Sequence, residues 1–583
     1  MQSTANQFGT LEARPRFSWV DLVIVAGLFG LLAGILKFGK GMWVPFDESH
    51  FSAIDLRERN IPYYAGRTLL RMWIAFGCSM LFTLIVGYAA AKSKKARFFI
   101  LPALDILQSM PVLGFLSITV TGFMALFPKS LFGVECASIF AIFTSQVWNM
   151  AFGFYHSLVT IPNDLQEAGR SYGLSRWQRF IKIELPSSAY SLIWNSMMSF
   201  GGGWFFVAQS EAITVLNKNI QLPGLGSYMA GVIHTRNTRG AIIAIVAMII
   251  LILVSDQLIW KPLLAWADKF KVQLTDSSER PTSWMLDFLK RAYVLVWLKK
   301  RVWIPLSDFL YQVTGLLPAP RPARSKSVSS VVKMLGTWSG YGLFLIGAGY
   351  VLYQLFEAIL DVYRNVSLGE IGHIFYLGLL TFLRVAVMTV VATMIWTPIG
   401  VWIGSHPKMA QYGQPVAQIL ASFPVNMTFP FVVGFFVYWS ISINYGSIFL
   451  IAMGTQWYIL FNVIAGAISI PNDLKEAART YGLEGWELWK KLIIPAIFPF
   501  WITGACTAAG GAWNASIVAE LAKWGNTTLT ADGLGAYIAQ VTASGDTARI
   551  ICSIGVMSLF VVTLNKLIWR RLYNLAECKF KLD

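Results

Sequence analysis

The sequence predicts an all-α, polytopic membrane protein with about twelve transmembrane helices in two homologous halves. Three observations lead there. The chain is 56% hydrophobic and 13% charged, with a mean hydropathy of +0.56, too apolar for an ordinary soluble protein of 583 residues. Apolar runs near the ~20 residues that cross a bilayer recur along its whole length. Finally, long stretches of the first half realign with the second, which makes the repeat the unit of architecture.

Hydropathy places spans at about 20–36, 68–91, 103–127, 131–158, 188–210 and 241–262 in the first half. In the second half they fall at about 340–360, 375–404, 414–437, 445–468, 496–520 and 548–569. Pro111 and Pro424 interrupt the third span of each half, where a kink or unwound turn is expected. The expected division is a first half at 1–262, a polar connector at 263–338 and a second half at 339–583. Residues 1–19 are polar and the apolar run after them lacks a small-residue cleavage site, so it is expected to be a retained first span.

Charge sets the topology. Lys92, Lys94, Lys95 and Arg97 follow span two, Arg170, Arg176, Arg179 and Lys182 follow span four, and Lys269, Lys271 and Arg280 follow span six. With Arg14 and Arg16 ahead of span one, all fall on one side if both termini are cytoplasmic. The opposite side is mixed, with Asp47, Glu48, Asp55 and Glu58 beside Arg57 and Arg59. The net charge of +17 is thereby assigned to loops that face anionic lipid, and nucleic-acid binding is not expected. Five scattered cysteines (Cys78, Cys136, Cys506, Cys552, Cys578) form no disulfide framework or metal-ligand spacing. In the connector, Trp284, Phe288, Leu295 and Leu298 alternate with Asp287, Lys290, Arg291, Lys299 and Lys300. That pattern fits an interfacial amphipathic helix or one packed on other cytoplasmic segments. Pro318, Pro320 and Pro322, with Arg321 and Arg324, read as a flexible linker.

Residues 161–186 are about half identical to 470–495, around Ile161-Pro-Asn-Asp-Leu and Ile470-Pro-Asn-Asp-Leu. The same register pairs Trp148 with Trp457, Trp204 with Trp513, Glu211 with Glu520, and Gly224-Leu-Gly with Gly533-Leu-Gly. Upstream, a slightly shifted register pairs Pro111 with Pro424 and Thr68-Leu-Leu-Arg71 with Thr381-Phe-Leu-Arg384. Parallel repeats with an even span count imply a pseudo-twofold axis along the membrane normal and a pathway between the halves. Asp164-x-x-Glu167 and Asp473-x-x-Glu476 read as capping boxes opening short helices. Leu165, Ala168 and Tyr172 share a face, as do Leu474, Ala477 and Tyr481. Gly173 and Gly482 suit left-handed helix ends, and a second helix opened by Ser175-x-x-Gln178 is expected to stop before Pro186, its counterpart before Pro495.

At these residues the chain resembles the permeases of binding-protein-dependent ABC importers, with their type I transmembrane architecture. The signature Glu-Ala-Ala … Gly … Pro stands as Glu476-Ala477-Ala478 … Gly482 … Pro495 and, with one departure, as Glu167-Ala168-Gly169 … Gly173 … Pro186. The resemblance implies that the hairpins 162–186 and 471–495 are coupling helices, each docking in a groove on a separate ATPase subunit. Asp164, Glu167, Ala168, Gly169, Tyr172 and Gly173, with Asp473, Glu476, Ala477, Ala478, Tyr481 and Gly482, would form the two seats. Trp204 … Glu211 … Gly224-Leu-Gly-Ser-Tyr228 and Trp513 … Glu520 … Gly533-Leu-Gly-Ala-Tyr537 resemble the nitrate/sulfonate/taurine-type branch. Fusion of two halves is a departure from that branch, which usually assembles a homodimer.

Candidate pathway or gate residues are Pro111, Trp204, Glu211, Pro424, Asn426, Thr428, Trp513, Asn514 and Glu520. Ionisable groups at membrane depth point to function, although Glu211 and Glu520 equally fit helix capping or gate holding. Arg71 and Arg384 could attract an anion or snorkel to the interface. Asn426, Thr428 and Asn514 stand where the first half has Leu113, Phe115 and Phe205, polar groups that fit substrate contact in the second half or, equally, hydrogen bonds to neighbouring helices. No GxxxxGK[ST] motif, metal-ligand cluster or catalytic constellation occurs, so an enzyme is not expected. The resemblance implies ATP and Mg on two partner ATPase subunits, an extracytoplasmic substrate-binding protein, and residence in a bacterial cytoplasmic (inner) membrane. The alternative is an ion-coupled secondary transporter with parallel repeats, which would need mid-membrane coupling carboxylates and no matched hairpins.

Overall fold

A computed structural model describes residues 18–45, 54–108, 110–215, 218–270, 283–306, 349–350, 352–524 and 527–579. The fold is that of an all-α polytopic membrane protein with two repeats. Among the described residues, eight helices are long and apolar enough to cross a membrane: Trp19–Lys40, Glu58–Lys92, Leu131–Val159, Thr238–Phe270, Leu368–Ser405, Ile443–Ile468, Gly485–Ala519 and Thr547–Ala576. The pair Lys408–Ser422 and Val425–Tyr438, bent by 75° across Pro424, is apolar enough to be a ninth, as a broken span or a re-entrant loop. In the first half the corresponding break separates Lys94–Gln108 from Leu116–Leu126 across Pro111, where Gly114 N–H closes a turn onto Pro111 O at 3.1 Å. Leu185–Glu211, expected as a span at 188–210, is a continuous helix, but its Ser-, Asn- and Gly-rich sequence holds its hydropathy below that of the others. Of the span expected at 340–360, residues 340–348 and 351 lie outside the described residues, whereas 352–365 is helical.

By contacts the chain divides into two compact units that do not follow the repeat. One gathers residues 1–41, 151–197 and 253–327; the other holds 42–150, 198–252 and 328–583. Within the first unit, the connector forms two short helices, Trp284–Lys290 and Tyr293–Leu298. They pack on the N-terminal helix: Asp21 Oδ1 accepts from Val294 N–H at 2.8 Å, and the Trp19 and Phe288 rings lie 5.8 Å apart. The connector stretches 271–282 and 307–338, with the proline cluster, lie outside the described residues.

In the second unit, Leu368–Ser405, Ile443–Ile468 and Ile494–Ala519 form a tight three-helix core around Ile459, Val463, Ala505 and Ala508. Small residues let these backbones approach, as membrane helices require when no hydrophobic force separates them from lipid. At Gly504 a Cβ would sit 2.8 Å from the Tyr458 carbonyl and 3.1 Å from Ile459 Cα.

Two corrections concern helix ends. The hairpin helices are Asn163–Ser171 and Asn472–Thr480, capped by Pro162 and Pro471 with no side-chain cap bond. Asp164 and Asp473 therefore lie one position inside the helix and act on its exposed first-turn dipole rather than as caps. The second helix does not stop at Pro186 or Pro495. It continues through a wide π turn, Phe180–Glu184 or Trp489–Ile493, directly into the next span. Leu185 N–H donates five residues back to Phe180 O, and Ile494 N–H to Trp489 O. Proline has no N–H and its ring collides with the carbonyl four residues back; widening the turn by one residue removes both conflicts. A further matched pair of π turns, Asp256–Trp260 and Asn565–Trp569, sits at the end of the last span of each half.

Close backbone approach at Gly504 predicts that Gly504→Ala destabilises the chain by ~1–3 kcal/mol despite the better helix propensity of alanine. Gly434→Ala, where a Cβ meets nothing within 4 Å, should be neutral or stabilising. Thermal unfolding of the detergent-purified variants measures both.

Candidate functional site

The fifth span of each half ends on a carboxylate, and that carboxylate organises the hairpin and the helix next in the chain. Glu211 closes Leu185–Glu211, and the chain then makes a short antiparallel hairpin, Ala212–Val215 with Lys218–Gln221. Leu222 N–H returns to Glu211 O at 2.9 Å. The next helix, Leu225–His234, thus starts beside the Glu211 side chain, whose Oε2 accepts from Gly226 N–H at 2.7 Å. Thr68 completes the ring, donating to Glu211 Oε1 at 2.7 Å and accepting from Leu225 N–H at 3.0 Å. Arg71 neutralises the carboxylate, its NH1 lying 2.6 Å from Glu211 Oε1.

The second half repeats the clasp. Glu520 ends its span, and the hairpin Leu521–Trp524 with Thr527–Thr530 brings Ala531 N–H to Glu520 O at 2.8 Å. Glu520 Oε2 accepts from Gly535 N–H at 2.8 Å, and Thr381 bridges Glu520 Oε1 (2.9 Å) and Leu534 N–H (2.9 Å). Arg384 NH1 lies 2.9 Å from Glu520 Oε1. Both glutamates are fully enclosed. The Gly-Leu-Gly motif is a consequence of this packing. A Cβ on Gly224 or Gly533 would fall within the clasp carboxylate, and one on Gly226 or Gly535 would strike the carbonyl of Ala208 or Ser516.

The clasps differ in one balanced exchange. In the first half Glu135 takes bonds from Arg71 (2.5 and 2.9 Å) and pairs with Arg67. The repeat register puts Asn444 at the position of Glu135 and Leu380 at that of Arg67. Asn444 accepts from Arg384 NH2 at 2.9 Å and, with the same oxygen, from Asp532 N–H at 2.8 Å. One half thus buries two arginines against two glutamates, and the other one against one. A cation and an anion vanish together, because either alone would leave a buried charge uncompensated.

The remaining candidates separate clearly. Arg71 and Arg384 neither reach the interface nor stand free for an anion; both are buried in ion pairs. Trp204 and Trp513 are core residues, packed on Phe200 and Phe560. Pro111 and Pro424 occupy buried breaks. Thr428 donates to Val425 O at 2.6 Å inside its own turn. Asn514 braces the two halves, accepting from Val112 N–H of the first-half break at 2.9 Å. Asn426 carries a buried amide oxygen with no hydrogen-bond partner. Sequence reading missed Arg67, Glu135 and Asn444, as well as both β-hairpins. The joint change at the two repeat-equivalent positions was the available signal.

Each hairpin presents a matched outward surface. Leu165, Ala168 and Tyr172 are exposed, as are Leu474, Ala477 and Tyr481, with the tyrosines more than 80% accessible. Gly169 and Ala478 face inward. Ile183 Cδ1 fills the space a Cβ on Gly169 would take, which accounts for the departure from Ala at that position. Gly173 and Gly482 turn the chain with φ of 68° and 66°, a conformation glycine adopts without strain. Glu167 and Glu476 are solvent-exposed beside these faces. Among the described residues no group of His, Cys, Asp and Glu is placed to hold a metal ion.

Comparison with known families matches residues 81–259 and 396–574, more than half the chain, to the binding-protein-dependent transport system inner membrane component. The chain belongs to this family. It is a multi-pass inner-membrane permease with two copies of the domain, and such components are not themselves enzymes. A nitrate import permease protein of Leptolyngbya laminosa is 27% identical over 218 residues, 37% of this chain and 74% of the relative. A nitrate import permease protein of Synechocystis sp. is 26% identical over 251 residues, 42% of this chain and 86% of the relative. A bicarbonate transport system permease protein of Synechococcus elongatus is 26% identical over 152 residues, 26% of this chain and 53% of the relative. The nitrate permeases therefore have about the length of one half of this permease.

The balanced exchange in the clasps predicts a compensating pair. Glu135→Asn alone strands Arg67 and should cost ~3–5 kcal/mol. Adding Arg67→Leu, which rebuilds the second-half arrangement, should recover most of that loss. Chemical unfolding of the purified permease checks it; a double variant no better than the single one contradicts the charge-balance reading.

Proposed function

We propose that this permease forms the translocation pathway of an ATP-driven importer for a small oxyanion. Two separate ATPase subunits seat on the hairpins 162–186 and 471–495, and an extracytoplasmic binding protein supplies the solute. The observation that carries the reading is the duplicated face Leu-x-x-Ala-x-x-x-Tyr, exposed in both hairpins with near-identical sequence. An apolar, small-residue patch rimmed by Glu167 and Glu476 suits close docking of a partner surface. The basic loops put the hairpins and both termini in the cytoplasm, where ATP and Mg are held by the ATPase subunits. Closure of those subunits would rock the halves and alternate access to the pathway. The oxyanion class rests on the nitrate and bicarbonate permeases to which the chain is similar.

The family membership and the paired state of the buried carboxylates both speak against the ion-coupled alternative. Glu211 and Glu520 are engaged by arginine, threonine and backbone donors, so neither is an unpaired carboxylate awaiting a coupling ion.

Affinity purification of the tagged chain from cells that make its partners should bring down a MgATP-hydrolysing subunit. Glu167→Lys with Glu476→Lys should lower the co-purifying ATPase by about tenfold or more, since like-charge juxtaposition costs several kcal/mol at a docking surface. Helical circular dichroism should not change, because both side chains are exposed. Undiminished co-purification of ATPase with the double variant would remove the docking assignment.

A further inference from the structure

We propose that the connector segment 284–306 docks on anionic phospholipid headgroups at the membrane surface, an interaction separate from the ATPase seats. The segment lies between the two regions that match the family, 81–259 and 396–574, so the shared permease domain does not account for it. Two membrane-crossing helices fix its level. Asp21, buried in the first turn of Trp19–Lys40, accepts from Val294 N–H at 2.8 Å and from Ser18 N–H at 2.8 Å. Trp19 of the same turn packs on Phe288, their ring centroids 5.8 Å apart. Lys261–Ala267, near the end of the crossing helix Thr238–Phe270, packs on Trp284–Lys290. A segment tied to the ends of two crossing helices is held in the interfacial layer of the bilayer. In the orientation proposed above, that layer belongs to the cytoplasmic leaflet.

The side chains left uncovered are of two kinds. Trp284, Tyr293, Trp297 and Val302 are exposed, the two tryptophans at 60% and 47%. Lys290, Arg291, Lys300 and Arg301 are exposed among them. The segment holds five Lys and Arg against one acid, Asp287, which pairs with Lys290 at 3.4 Å. The headgroup layer suits both kinds at once. Indole and phenol rings settle at its apolar boundary, and basic side chains extend along apolar surface to reach phosphate. Lys269, at the end of the neighbouring span, continues the pattern, its Nζ lying 4.5 Å over the Trp266 ring and 4.7 Å over that of Phe270. The ATPase seats are built differently. They present Leu, Ala and Tyr beside an acidic Glu and occur twice, whereas this basic, aromatic segment occurs once. Each basic residue near an anionic surface strengthens attachment roughly fivefold.

The test uses the full chain in vesicles of equal parts phosphatidylcholine and phosphatidylglycerol. Val302→Cys, in a chain whose five native cysteines are replaced by alanine, carries a bimane fluorophore. Either the phosphatidylcholine or the phosphatidylglycerol is brominated. Bromine quenches at contact range, so the two quenching strengths report the lipid preference at the connector. The parent should favour phosphatidylglycerol. Lys290→Gln combined with Arg291→Gln, Lys300→Gln and Arg301→Gln should lower that preference about tenfold or more. Helical circular dichroism should not change, because all four side chains are exposed. A parent-like preference in this variant overturns the assignment of the docking residues. Equal quenching by both lipids in the parent overturns the anionic partner. Quenching by neither overturns the membrane placement and makes a soluble partner the occupant. Native mass spectrometry of the chain with its cysteines intact gives a second reading. The same four substitutions should leave fewer phosphatidylglycerol molecules bound than in the parent, and an equal number contradicts the proposal.

Discussion

A carboxylate enclosed at membrane depth must be neutralised where it stands, and in each half that requirement joins three stretches distant in sequence. Glu211 draws Thr68 and Arg71 of the second span to the helix that opens at Leu225, and Glu520 does the same with Thr381, Arg384 and the helix at Leu534. The β-hairpin, the Gly-Leu-Gly motif and the start of the next helix all depend on this arrangement. The carboxylate takes up the orphan N–H groups of that helix while the arginine takes up its charge. These groups are engaged with one another, so the most conspicuous ionisable residues of the chain tie its own elements together.

The same constraint governs how the halves diverged. Arg67 and Glu135 could be replaced by Leu380 and Asn444 only as a pair, because either step alone strands a charge. The exposed hairpins obey no such rule, yet the outward face Leu-x-x-Ala-x-x-x-Tyr is the same in both halves. Identity without a packing reason points to a shared partner. Between these extremes lie the broken third spans, where Leu113 and Phe115 correspond to Asn426 and Thr428 and symmetry is freely lost. Duplicated π turns beside Pro186 and Pro495 show a third case, in which one backbone conflict recurs and receives the same solution twice.

Much of this was legible in the sequence. Span positions, the breaks at Pro111 and Pro424, the repeat and the hairpins come from hydropathy, proline chemistry and self-comparison, which are local or periodic signals. The members of each clasp were also visible, as Thr-x-x-Arg, a lone Glu and Gly-Leu-Gly. Their assembly was not, because Arg71 and Glu211 stand 140 residues apart and no local pattern reports such a contact. Arg71 and Arg384 therefore read as candidate anion ligands until their partners were known. Proline misled for the opposite reason: a local rule placed a helix end at Pro186, and a widened turn avoided it. Asn514 was recognised as a polar departure from Phe205, but its role as a brace to Val112 needed the fold.

If one chain carries both halves and both docking faces, it should replace the permease pair of a half-sized system. Native mass spectrometry of the complex purified with its partners tests that most directly. The account predicts one copy of this 65.0 kDa chain bound to two ATPase subunits. Two copies of the chain in the smallest complex that hydrolyses ATP would contradict it.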